Sequence, residues 1–116
     1  YSENIKIIIN AILSNPKYIG GSNNLDSNLI KISNRNIFCK GGAEGVFLFV
    51  HLKKEIFGIL KVKDGNERAL PSAMYTILKK FRILTREELN KFISWNRTHL
   101  YNHSKIKIGS IKTKIE

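Results

Sequence analysis

The chain has 116 residues, of which 42% are hydrophobic, so it allows one compact domain with a real core and excludes wholesale disorder. The net charge of +11 raises nucleic acid as a partner, but 15 of the 20 cationic residues are scattered lysines. Nucleic-acid sites usually concentrate Arg and aromatic residues on one face, so we expect no such partner. The longest apolar run, residues 45–52, has strand length and excludes a membrane span. The single cysteine, Cys39, excludes an internal disulfide and favours a cytoplasmic location.

The first third of the chain is predicted to be helical. Four isoleucines between residues 5 and 12 recur at the spacing of one helix face, and Pro16 ends that helix by restricting the residue before it. Residues 20–24 read as a loop, after which Asp26 is predicted to cap a short helix. These two helices need something to cover. Because the chain opens on Tyr1 rather than Met, we expect their partners in preceding sequence.

The middle of the chain predicts three adjacent antiparallel strands, over residues 37–39, 46–52 and 56–63. The second is apolar on both faces, as expected of a central, covered strand. In the third, Phe57 and Ile59 are predicted to lie on the face opposite Ile56, Leu60 and Val62. Gly58 within it indicates a bulge or the close approach of another backbone.

The last third predicts two helices and an edge strand. The first helix carries one apolar stripe, predicted to pack on the sheet, made of Leu70, Ala73, Met74, Ile77, Leu78 and Phe81. Thr85 and Glu88 form a capping box that begins the second. Residues 105–114 alternate Lys with Ile, which is typical of a protected edge strand. The predicted fold class is therefore α+β, an antiparallel sheet with helices packed on it, within a single partial domain over residues 1–116.

Residues 40–45, which read Lys-Gly-Gly-Ala-Glu-Gly, are the segment richest in chemical information. Three glycines in five positions cost backbone entropy, so something there requires small residues or positive φ. Lys40 could act as a point charge or as a proton acceptor, and exposed N–H groups could serve as oxyanion donors. Glu44 could orient Lys40 or a substrate ammonium. The alternative is an ordinary glycine-rich turn with a solvated lysine and a turn carboxylate.

Two blocks at a fixed separation carry a resemblance to a known family. Residues 40–46 read K-G-G-A-E-G-V, and residues 64–69 read D-G-N-E-R-A. Upstream, residues 15–29 resemble a segment of the form H-P-x-x-V-A-G-T-G-R-x-D-T-x-L. Together these resemble the C-terminal third of the L-asparaginase II family, also called the rhizobial-type asparaginases, over nearly the whole chain.

The resemblance implies a fold similar to serine β-lactamases and penicillin-binding proteins. It also implies hydrolysis of L-asparagine to L-aspartate and ammonia through a serine acyl-enzyme. Lys40 matches the catalytic lysine of the family's K-[TG]-G block, and Gly41, Gly42 and Glu44 would then line the substrate site. The small-molecule partner would be L-asparagine, and homo-oligomer formation is left open.

Two departures from the family pattern bear on this expectation. The family's Ser-x-x-Lys nucleophile has no credible counterpart, because Pro16 breaks the helix that would align Ser14 with Lys17. Asn24 stands where the family has Arg. We therefore expect a fragment that is inactive alone. The alternative is a small basic module that binds RNA or an acidic protein. His99 and His103 lack a third ligand, so we expect neither metal nor cofactor in this chain.

Overall fold

The computed structural model describes residues 2–116, and its fold is α+β, as the sequence predicts. In chain order the elements are α1 (Glu3–Ser14), α2 (Lys17–Gly20), α3 (Leu25–Ile32), β1 (Ile37–Gly42), β2 (Val46–His51), β3 (Ile56–Lys61), a 3₁₀ turn (Glu67–Ala69), α4 (Leu70–Lys80), α5 (Arg86–Phe92), a second 3₁₀ turn (Ile93–Trp95), β4 (His99–Tyr101) and β5 (Lys107–Ser110). Within this part of the chain, no helix is long and apolar enough to cross a membrane.

The main sheet is antiparallel, with the order β1-β2-β3, so β2 is central as predicted. Gly42 pairs with Val46, which leaves residues 43–45 as the connection between β1 and β2. The predicted strand ends at residue 39, which gives a longer connection. In the structure Gly41 and Gly42 both pair within β1, so the strand is longer and the connection shorter. Gly45 adopts φ +69°, and a Cβ there would lie 2.8 Å from Cβ of Val62. Glycine is therefore required at the end of the turn rather than throughout it.

One hydrophobic core joins the sheet to the helices. Alternate residues of β2 point inward, so Phe47 and Phe49 are buried. The remaining core residues come from α3, β1, α4 and α5, and include Leu29, Ile30, Cys39, Leu70, Met74, Leu78 and Phe92. The predicted outward positions in β3 are confirmed, because Phe57 and Ile59 are exposed. Burial therefore follows the two-residue period of the strands and the helical period of α4.

The predicted apolar stripe of α4 is only partly buried. Leu70, Met74 and Leu78 lie in the core, but Phe81 is 57% exposed. The helix ends at Lys80, and Phe81 is its C-cap with φ −91°, followed by Arg82 at φ +52°. The chain therefore leaves the helical path just before Phe81 can complete the stripe.

Helix α1 forms where predicted, but much of its isoleucine face is exposed. Ile5 and Ile8 are 46% and 58% exposed, whereas Leu13 near the C-terminal end is buried. The helix ends at Ser14, before Pro16, as expected, and α2 is a separate helix that begins at Lys17. The stripe thus contacts the core through its C-terminal half, where Ile9 and Ile12 pack against the buried residues.

The C-terminal strand lies in a separate two-stranded sheet. Residues Lys107–Ser110 pair antiparallel with His99–Tyr101, a strand that the sequence analysis did not predict. The short strand β4 carries no apolar alternation, which is why the pattern missed it. A shift of register between Leu100 and Tyr101 bends this ribbon.

Candidate active site

An open cleft of about 670 Å³ lies along the outer edge of β1. The edge strand contributes Lys40, Gly41 and Gly42, and the first turn of α3 contributes Asp26. The opposite wall comes from the residues around α4 and β4, including Arg68 and Arg97. Lys40, Gly41 and Gly42 thus lie side by side along this cleft.

Lys40 has an ammonium at the mouth of this cleft. Its side chain is 49% exposed, and Nζ lies 3.9 Å from Oδ2 of Asp26. The ammonium also donates a hydrogen bond to the carbonyl oxygen of Gly41. In the alternation of β1, Lys40 is exposed while Ile37 and Cys39 are buried. The lysine is therefore held at the strand edge with one flank open to a ligand.

Asp26 is a site residue whose role the sequence reading missed. It was predicted to cap α3, but the N-cap is Asn24, and Asp26 lies in the first turn with only 4% of its surface exposed. Its Oδ1 accepts the N–H of Ser27 at 2.8 Å, and its Oδ2 accepts the N–H of Gly41 at 3.2 Å. The carboxylate is thus buried with one backbone donor on each oxygen, which fixes its position beside Lys40.

Small residues surround the Asp26 carboxylate. A Cβ added to Gly20 would overlap the carboxyl group, so only glycine fits at the end of α2. A Cβ at Gly41 would lie 3.7 Å from Oδ2, in ordinary contact. Behind them, Ser27 Oγ donates to the carbonyl of Pro16 at 2.9 Å, which ties α3 to the start of α2. The rim of the cleft is therefore fixed from both sides.

Glu44 lies in the turn after β1 and does not line the cleft. It is the middle residue of the turn between β1 and β2, with φ +59°, and it lies beside Gly65. Its carbonyl oxygen accepts a hydrogen bond from Nζ of Lys61 at 2.8 Å. Lys40, Gly41, Gly42 and Asp26 therefore form one group along the cleft, and Glu44 lies in the turn beyond it.

Cys39 lies directly behind the site, in the core. Its thiol donates to the backbone oxygen of Asp26 at 3.3 Å, and the side chain is fully buried. Burial, and then the negative charge of Asp26, raise the pKa of this thiol far above its ordinary range. A thiol held protonated in this way is a structural group and not a nucleophile.

The far wall of the cleft is cationic and aromatic. The guanidinium of Arg97 lies 4.5 Å from the centre of the Trp95 ring, an arrangement that orients the charge. Arg68 forms an ion pair with Asp64 at 2.8 Å, four residues earlier in the chain. The same interaction contributes to lowering the pKa of Asp64, after its hydrogen bond from the Asn66 amide. The cleft thus offers positive charge on two sides.

The cleft therefore combines a lysine and a buried carboxylate with two arginines on an α+β fold. Among residues 2–116, no group of three His, Cys, Asp or Glu side chains could hold a metal ion. The family model for L-asparaginase II matches residues 1–113, and the chain belongs to that family of asparaginase-type amide hydrolases. A comparison with curated proteins gave no match.

Proposed function

We propose that this chain supplies the lysine side of an active site that hydrolyses L-asparagine to L-aspartate and ammonia. The serine nucleophile would come from polypeptide outside residues 1–116, in a fold similar to serine β-lactamases. The observation that carries the proposal is the Lys40 ammonium, half-exposed in the cleft and 3.9 Å from the Asp26 carboxylate. Membership of the L-asparaginase II family supplies the reaction class.

In this scheme the serine oxygen attacks the side-chain amide carbonyl and loses its proton, the C–N bond breaks, and ammonia leaves with a proton. Water then attacks the acyl-enzyme ester and releases L-aspartate. Lys40 faces the serine and acts through its charge and by moving protons in the transition state. Its place at the mouth of an open cleft leaves one side of the ammonium free for this role.

Gly41 and Gly42 contribute to the proposed site by their small size, and not as hydrogen-bond donors to the substrate. The N–H of Gly41 already donates to Asp26, so it is not available to a developing oxyanion. Gly42 has ordinary space around its Cα, because an added Cβ would lie 3.5 Å from Val46. We propose that both line the substrate site, where the absence of a side chain leaves space for the substrate. Glu44, in the turn, is left outside the proposed contacts.

Substrate recognition in this proposal uses the cationic wall. L-Asparagine carries an α-carboxylate and an α-ammonium, and Arg97 over Trp95 is placed to bind the carboxylate. Arg68 contributes less, because its guanidinium is already paired with Asp64.

The experiment compares residues 1–116 with the longer polypeptide of its reading frame, using purified proteins and L-asparagine. We expect ammonia and L-aspartate from the longer protein, and a serine peptide carrying an added aspartyl group after rapid quenching. The 116-residue chain alone should release no ammonia. Retention of RNA by both proteins without ammonia release would instead favour the basic binding module.

A further inference from the structure

We infer that Asp26 is a positioning residue for the cleft, which holds the Lys40 ammonium and the Gly41 backbone in one fixed geometry. The inference rests on the proposed function only for its consequence in catalysis. The geometry itself joins two separate parts of the sequence, since Asp26 precedes Gly41 by fifteen residues.

The two carboxylate oxygens of Asp26 make different contacts. Oδ1 accepts the Ser27 N–H within α3, which fixes the rotamer of Asp26. Oδ2 then faces β1, where it accepts the Gly41 N–H at 3.2 Å and lies 3.9 Å from Nζ of Lys40. One oxygen therefore anchors the side chain, and the other organises the strand that carries the lysine.

The charge balance of the cleft explains why a carboxylate is needed there. Lys40 shares the cleft with Arg68 and Arg97, so cationic groups face each other across it. Arg68 has its own partner in Asp64, whereas the ion pair of Lys40 within residues 2–116 is with Asp26. Without that charge, the ammonium would be repelled toward solvent.

Burial distinguishes this pair from a surface ion pair. Asp26 is 6% exposed at its side chain while Lys40 is 49% exposed. The carboxylate is therefore rigid and the lysine is the part left free to meet a ligand. A Cβ on Gly20 would overlap the carboxyl group, so glycine at this position leaves the room that the buried Asp26 side chain occupies.

The test measures the chemical reactivity of Lys40, which does not depend on enzymatic activity. The folded 116-residue chain is labelled with trace N-hydroxysuccinimide acetate, and acetylation at Lys40 is compared by mass spectrometry with that at Lys53. Lys53 is an exposed lysine in the turn at the opposite end of the sheet, and it serves as the internal standard. An amine held against a carboxylate and a carbonyl oxygen reacts slowly, because fewer directions of approach are open to the reagent.

We expect Asp26→Asn to raise the Lys40:Lys53 ratio by about twofold to fivefold, the size typical of a partly exposed pair. Asp26→Glu, which keeps the charge, should restore much of the protection, and Asp64→Asn should leave the ratio unchanged. If Asp26→Asn does not fold, the wild-type chain alone provides the test. Acetylation of Lys40 should be slower than that of Lys53 in the folded chain, and the two rates should be equal in urea.

An unchanged ratio in folded Asp26→Asn, or equal rates in the folded wild-type chain, would overturn the inference. In the longer protein, Asp26→Asn should lower kcat by about 10-fold to 100-fold with little change in KM. A longer protein without asparaginase activity would refute the proposed function and leave the labelling result standing. A fall in kcat without a change in labelling would refute the positioning role.

Discussion

The N–H of Gly41 donates to Oδ2 of Asp26 across 3.2 Å, which joins the outer edge of β1 to the first turn of α3. An edge strand presents unpaired N–H groups that invite pairing with another chain. Here a buried carboxylate satisfies one of them and at the same time lies 3.9 Å from the Lys40 ammonium. The contact that protects the edge is thus also the contact that organises the cleft.

The core packing of α4 predicts a large cost for Leu78→Ala. Leu78 is fully buried, so the variant should lose about 2 to 5 kcal/mol of unfolding free energy in urea titrations. Phe81→Ala is the matched control on the same stripe. Because Phe81 is 57% exposed, its loss should stay below about 1 kcal/mol. Equal costs for the two variants would contradict the assigned end of the helix.

Gly58 in β3 is predicted to be required by the ring of Phe49. A Cβ at Gly58 would lie 2.5 Å from Cε1 of Phe49, so Gly58→Ala should cost about 1 to 3 kcal/mol by overpacking. Phe49→Leu should recover part of that cost in a double-mutant cycle. Gly42→Ala is the control, because its Cβ would meet Val46 at 3.5 Å. Additive costs for Gly58→Ala and Phe49→Leu would refute the contact.

The lowered pKa of His51 predicts that the free energy of unfolding decreases in mild acid. Burial, and then the charge of Lys54, lower the pKa of His51 below its ordinary value of 6.5, and Nδ1 accepts the Lys54 N–H at 3.2 Å. The unfolded chain therefore binds a proton that the folded chain resists. This contribution is fully present above pH 6.5 and is lost as the pH falls toward the folded pKa.

Urea unfolding at several pH values between about 7.5 and 5 measures this effect. His51→Asn keeps an acceptor for Lys54 and should flatten the acid-side fall, whereas His103→Asn, at an exposed position, should not. A fall of the same size in the His51→Asn chain would assign it to other groups.

Cys39 is predicted to be unreactive in the folded chain. It is fully buried, and burial and Asp26 raise its pKa, so the thiolate is scarcely populated. At about pH 8, an aromatic disulfide reagent should label it only after addition of guanidinium chloride. Rapid labelling of the native chain would show that the wall between the core and the cleft opens.

Local signals in the sequence predicted much of the fold. The Thr85 and Glu88 capping box is present with both hydrogen bonds, and Pro16 separates α1 from α2. The inward and outward positions of β3 follow its two-residue period. Each of these features depends on residues within a few positions, which is why pattern reading finds them.

Features that depend on distant residues could not be predicted in the same way. The burial of Asp26 depends on Gly41 and Gly20, which come from a strand and from another helix. The exposure of Ile5 and Ile8 depends on what α1 lies beside, which helical periodicity does not specify. The glycine-rich surroundings of Lys40 stand out locally in the sequence, whereas its partner Asp26 looks like an ordinary helix cap.

The measurement that tests the account most directly is the steady-state hydrolysis of L-asparagine by the proposed longer protein with Lys40→Ala. Lys53→Ala, an exposed lysine at the other end of the sheet, is the control. We expect kcat to fall by about 10² to 10⁴ with little change in KM, because the lysine acts mainly in the transition state. The Lys53→Ala protein should keep wild-type kinetics. Normal turnover by a folded Lys40→Ala protein would contradict the proposal and leave residues 40–45 with a structural role only, as the end of β1 and the turn after it.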